Sequence, residues 1–211
     1  MFVVPRAFRE DERSHIEARL LETGRALFER QGLRKTNVAE LADAAGIGKG
    51  SFYLFFPTKE ALFLAISDRF EAEVKQSFVR ELDRLRRSGA SVRALLRRYF
   101  ELHFEAFERH PFLALLTNPA ELESLLRKVG PERLAIEREK DALFFSELVA
   151  RWQGEGLVDR NVDARAVAAL SRGILALIQG RELVGDDDWG PMVELLIDAL
   201  AERLVARGAA R

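Results

Sequence analysis

The chain has 211 residues, no cysteine, and a net charge of −1 from 33 Lys and Arg against 34 Asp and Glu. That length, with 48% hydrophobic residues, supports a sizeable core, and the lack of thiols excludes disulfides, thiolate zinc sites and cysteine nucleophiles. The opening MFVVPRAFREDERSH turns charged too soon for a signal peptide, and no apolar run approaches the roughly 20 residues that cross a bilayer. The composition therefore predicts a soluble, cytoplasmic protein without a membrane partner.

Apolar residues recur at spacings of three and four, and strict alternation is scarce, which predicts an all-α fold. Ser14 and Glu17 match a capping box and predict a first helix over IEARLLETGRALFERQG, with Gly32 as its C-cap. Asn37 and Glu40 form a second capping box at the head of VAELADAAG, which Gly46 stops. A short third segment from Ile47 to Phe56 ends at Pro57, and Thr58 caps a long helix starting near Lys59. Past Gly89 a helix lies between Ser91 and Pro111, followed by a region broken by Pro119 and Gly130-Pro131. A long helix then reaches Gly154, Asp163 caps ARAVAALSRGILALIQGREL, and PMVELLIDALAERLVARG closes the chain. This layout divides the chain into a tail (1–13), a three-helix head (14–62) and a helical second domain (63–211). The boundary falls inside a helix, so head and second domain are expected to be mechanically joined.

The stretch GIGKGSFYLFFPTKEAL has two excluded readings. A Walker loop fails because Asp43 stands where its first glycine belongs and Gly50 follows Lys49. A dinucleotide fingerprint fails because Ser51 takes its last glycine position and no strand precedes it. A helix-turn-helix suits the residues. Gly46 supplies the turn, while Ile47, Phe52 and Phe56 face the core. Lys49, Gly50 and Tyr53 share the opposite side, flanked by Ser51 and Leu54. Between Ala44 and Lys59 the only charges are those of Lys49 and Lys59, so nothing there repels a phosphate backbone. Lys59 can reach a phosphate beside the N-terminus of its helix, and Asn37 is first a cap. Arg6 and Arg9 suit a solvated tail better than a minor-groove arm.

TNVAELADAAGIGKGSFYLFFPTKEALF resembles the DNA-binding signature of TetR-family transcriptional regulators, matching at Thr36, Leu41, Ala42, Ala45, Gly46, Ile47, Gly50, Tyr53, Phe56, Lys59, Glu60 and Leu62. The strong match covers about residues 14 to 65. The resemblance implies a helix-turn-helix head on a helical-bundle domain for ligand binding and dimerisation. It also implies a repressor that binds a palindromic operator in double-stranded DNA as a homodimer and leaves it on binding a small molecule. Carried onto this sequence, the DNA-contacting set is Thr36, Asn37, Gly48, Lys49, Gly50, Ser51, Tyr53, Leu54, Phe55 and Lys59. Gly48 stands where the family often has a capping Ser, and Phe55 replaces a frequent His or Tyr.

In the second domain, Leu96, Phe100, Phe104 and Phe107 recur at helical spacing, with His103 inside the stripe and Phe112 after the break. Phe144, Phe145, Leu148 and Trp152 add a second aromatic surface. These residues are candidate walls of a cavity for an apolar or amphipathic effector, although each alone reads more readily as core. For the dimer, Val193, Leu196, Ile197, Leu200 and Leu204 form one face of the last helix, broadened by Leu195 and Ala199. The preceding helix offers Ala168, Ala169 and Gly173 for close approach. No cofactor, metal or catalytic residue is expected: His103 and His110 lack the paired Glu-x-x-His motifs of a metal bundle. The rival reading is a helical metal- or ligand-binding protein or adaptor without an operator.

Overall fold

The computed structural model describes residues 9–206, so Arg6 lies outside the described residues. The described chain is all-α, with eleven helices and no strand. The first, α1 (Glu10–Lys35), begins four residues ahead of Ser14, which lies inside the helix. Glu10, Asp11 and Glu12 fill its first turn, where acidic side chains complement the helix dipole, so the Ser14 capping box is not used. Gly32, at φ +80°, breaks the helical path as expected, and the chain makes a further turn before Thr36.

The second helix, α2 (Val38–Ala44), carries the predicted capping box. Glu40 N donates to Asn37 Oδ1 at 3.0 Å and Asn37 N donates to Glu40 Oε2 at 3.2 Å. Gly46, at φ +70°, turns the chain into α3 (Lys49–Phe52), a helix shorter than the predicted segment. Thr58 then caps α4 (Lys59–Arg87) by accepting from Ala61 N at 3.1 Å. At 29 residues, α4 crosses the expected domain boundary without a break.

The broken region is helical. After α5 (Val92–Arg109), Pro111, Pro119 and Pro131 each open a helix: α6 (Pro111–Thr117), α7 (Pro119–Val129) and α8 (Pro131–Gly154). Proline suits that position, since its φ is preset and its missing N–H would have no partner there. The chain ends with α9 (Ala164–Gln179), the single turn α10 (Arg181–Val184) and α11 (Asp186–Leu204). Ser91 and Asp163 cap α5 and α9 as predicted.

Head and bundle share one continuous core. Phe63 of α4 stacks on Phe112 of α6 at 4.7 Å and meets Phe28 of α1 edge-on at 5.3 Å. α1 and α4 approach closely at Gly24, where an added Cβ would sit 3.0 Å from Leu62 Cδ2. In the bundle α5 is central and fully buries Tyr99 and Phe100. α8 packs along α9, and α5 along α11, where Arg97 joins Glu194 and Asp198 in ion pairs. Among the described residues, no helix is long and apolar enough to cross a membrane.

Candidate nucleic-acid interface and effector cavity

The α3 region exposes a small, acid-free face. Phe52 is fully buried and Phe56 nearly so, which aims Lys49, Gly50, Tyr53 and Leu54 outward; Tyr53 is 51% exposed and Leu54 49%. Gly48 and Gly50 are exposed, and a Cβ at either would meet nothing within 4 Å. Protein packing therefore does not require a glycine at either position. Ser51 is half-buried on the flank.

Four of the expected contacts have other work in the protein. Thr36 is buried and its hydroxyl donates to Gly32 O at 2.7 Å, closing the turn beyond the Gly32 kink. Lys59 does not extend toward solvent: its ammonium donates to Leu33 O at 2.7 Å, Thr36 O at 2.8 Å and Arg34 O at 3.2 Å. All three of its N–H bonds satisfy the carbonyls left open where α1 ends. Phe55 is half-buried, with the Arg13 guanidinium 5.1 Å from its ring centre. Asn37 is exposed, but its Oδ1 is taken by the cap.

Two framing residues have no local sequence signal. Arg13 reaches 41 residues ahead to donate to Leu54 O at 3.0 Å, tying α1 to the end of the α3 region. Glu121 of α7 accepts from Arg34 N at 3.0 Å and lies against Gly32. With Lys59, it fixes the end of α1 from the bundle side. Each pairing joins residues distant in sequence, which periodicity cannot register.

The second domain contains a cavity of about 380 Å³ between α4, α5, α6, α8 and α9. Of the ten expected wall residues, only His103, Phe107 and Phe145 line it. Leu96, Phe100 and Phe112 are essentially fully buried in the core. Phe104 turns toward Trp189 and Trp152 packs edge-on against Tyr99, while Phe144 and Leu148 lie beside a separate groove with Val79. Helical spacing selected positions that are buried, apart from the partly buried Phe107 and Phe144, but could not show where neighbouring helices leave space. Phe78, Leu113, Leu116 and Leu175 supply walls that sequence reading missed, and Lys75, paired with Asp141, adds charge.

His103 is a buried titratable group on the cavity wall, and one of its ring nitrogens has no hydrogen-bond partner among the described residues. Its Nδ1 lies 2.7 Å from Tyr99 O, and its Nε2 is buried with no partner among the described residues. Burial lowers its pKa to about 4, against a weaker opposing pull from the Tyr99 carbonyl, so the ring is neutral at pH 7. Nearby, Tyr99 OH lies 2.8 Å from Ser171 Oγ, which donates to Val167 O at 3.3 Å. Tyr99 is therefore the donor to Ser171, and burial pushes its phenol pKa up. His110 is elsewhere, edge-on to Phe70 at 5.0 Å.

The last helices divide differently from expectation. Ala168, Ile197 and Leu204 are buried inside the protomer, because α11 packs on α5 and α9 on α8. Val193, Leu196 and Leu200 are partly buried against the same core. The apolar residues left outside include Ala169, Leu170, Gly173 and Leu177 on α9, with Leu195 and Ala199 on α11. Leu170 and Leu177 were not singled out in the sequence.

Comparison with known proteins agrees with this geometry. The family model "Bacterial regulatory proteins, tetR family" matches residues 20–66. The regulator EthR of Mycolicibacterium smegmatis is 32% identical over 98 residues, 46% of this chain and 44% of that protein. The repressor KstR2 of Mycobacterium tuberculosis is 36% identical over 91 residues, 43% of this chain and 44% of that one. The matches thus span less than half the length of either relative. Over the whole fold, a TetR-family regulator from Pectobacterium atrosepticum superposes with a TM-score of 0.64 at 21% identity, covering 92% of this chain and 94% of that one. Residues 20–66 thus match the DNA-binding segment of the tetR family of bacterial regulatory proteins, and the whole chain shares the fold of such a regulator.

Proposed function

We propose that the protein is a transcriptional repressor that binds a palindromic operator as a homodimer and is released by a small apolar or amphipathic effector. One observation carries this reading: the exposed, acid-free face of Lys49, Gly50, Tyr53 and Leu54, flanked by half-buried Ser51 and backed by buried Phe52 and Phe56. Such a face offers an ammonium and hydroxyls to phosphate and base edges without like-charge repulsion. One short recognition helix reads few base pairs, so two heads about one DNA turn apart, ~34 Å, are needed for specificity. The exposed leucines of α9 and α11 are the surface for that pairing.

The effector acts by preferring one arrangement of the bundle. α4 and α6 line the cavity, and α7, next in the chain, holds the end of α1 through Glu121. A ligand that fits one packing of these helices better shifts the spacing of the heads by its differential affinity alone. This role requires no catalysis or cofactor and places the protein in the cytoplasm, on the nucleoid when bound.

The test is selection of bound fragments from the source genome, then footprinting at fixed physiological salt, because phosphate contacts make affinity steeply salt-dependent. A protected palindrome that Lys49→Ala and Tyr53→Phe weaken without unfolding the protein supports the reading. Weak binding indifferent to sequence, unchanged by both substitutions, would point instead to an adaptor.

A further inference from the structure

Among the residues lining the 380 Å³ cavity, the buried polar side chains are His103 and Ser171, while Glu71, Lys75, Asp141 and Arg172 lie less deeply on the wall. A backbone carbonyl only accepts, so the 2.7 Å contact of His103 Nδ1 with Tyr99 O places the ring hydrogen on Nδ1. In the neutral ring Nε2 is then a bare lone pair. It is buried, without a partner among the described residues, on a side chain 6% exposed. Ser171 Oγ, on the same wall, uses its hydrogen on Val167 O and takes one from Tyr99 OH. Its remaining capacity is also for accepting. Around these two atoms the walls are apolar and largely aromatic, including Phe78, Phe107 and Phe145.

We infer that the effector is an uncharged molecule with an apolar, aromatic-sized body and a hydroxyl that donates its hydrogen bond to His103 Nε2. The inference rests on the cavity being the effector site proposed above and specifies its chemistry. An ether, ester or ketone of the same shape brings an acceptor to an acceptor and leaves both atoms unsatisfied in an apolar site, which is costly. A carboxylate placed at His103 Nε2 and Ser171 Oγ brings a charge to two atoms that have no hydrogen left to donate to it. The cations there are outside that pair: Lys75 is held by Asp141 and Glu71, and Arg172 donates to Ala168 O at 3.3 Å.

The test uses the full-length protein and three probes: biphenyl-4-ol, 4-fluorobiphenyl and biphenyl-4-carboxylate, titrated calorimetrically at pH 7.5. The phenol is expected to bind about ten-fold tighter than the fluoro compound, the worth of one buried hydrogen bond. His103→Phe should keep the fluoro compound bound and erase that preference. A second measurement needs no variant: imidazole 15N shifts of the wild type should show the Nδ1–H form, with Nε2 responding to biphenyl-4-ol. Equal binding of phenol and fluoro compound, tighter binding of the carboxylate, or an Nε2–H ring each overturns the donor requirement. If no probe binds, the cavity assignment itself is wrong. None of these readouts involves DNA, so failure here is separate from failure to find a protected operator.

Discussion

Gly46 and Gly50 lie four residues apart and serve different purposes. Gly46 has φ +70°, a backbone conformation that demands glycine, and the atoms nearest its missing Cβ belong to the movable Arg19 guanidinium. Gly50 has an ordinary helical backbone and open space around its missing Cβ. Gly50→Ala should therefore hold or raise stability, by up to about 1 kcal/mol from helix propensity, while weakening operator binding if the duplex approaches that surface. Gly46→Ala should lower the melting temperature outright. A Gly50→Ala protein with full operator affinity would remove this position from the interface. His103 makes a further prediction. Its pKa falls from the ordinary 6.5 to about 4 in the folded protein, chiefly through burial. Above pH 6.5 the ring is neutral in both states and the fold keeps its full stability. As pH drops toward 4 the unfolded chain binds the proton first, and stability falls by about 1.4 kcal/mol per pH unit, on the order of 3 kcal/mol in all. Urea denaturation across that range should show a steeper loss for the wild type than for His103→Phe. Parallel curves would mean that His103 is protonated while folded.

At the scale of elements, the end of α1 is held from two sides, by Lys59 of α4 and Glu121 of α7. Losing a charged donor from three carbonyls should destabilise the head by about 1.5–3 kcal/mol. Lys59→Met is therefore expected to lower the melting temperature in the absence of DNA; an unchanged value would return Lys59 to a purely phosphate-binding role. Most helix starts were legible, because caps are local chemistry: Asn37 with Glu40, Thr58, Ser91 and Asp163 all act at the positions their sequence implied. The start of α1 was not, since three acidic residues satisfy its first turn without a capping side chain. The aromatic core of the head followed from spacing, with Phe52 and Phe56 inward and Tyr53 outward. The cavity did not, because its walls depend on which side chains of five helices fail to meet. Thr36 and Lys59 show the same limit: a polar residue near a recognition helix can face DNA or hold the frame, and only tertiary contacts distinguish the two.

For the whole molecule, the apolar pattern of α9 and α11 is divided between two surfaces. Ala168, Ile174, Ile197 and Leu204 complete the protomer core, while Leu170, Leu177 and Leu195 remain 43%, 38% and 72% exposed. Leu170 and Leu177 lie seven apart on one face of α9, with Gly173 between them, where a second helix can approach closely. If this surface joins two copies, it is what turns two weak heads into one specific reader. Leu170→Glu combined with Leu195→Glu places charge on that surface but touches no buried atom of the protomer. Such surface changes alter stability by about 0.5 kcal/mol or less. The double variant should therefore keep its helical circular dichroism, run as a monomer by light scattering, and lose sequence-specific footprints while retaining weak, salt-sensitive DNA binding. A variant that stays dimeric would move the interface elsewhere. One that becomes monomeric yet protects the full palindrome would show that DNA, not this face, brings the two copies together.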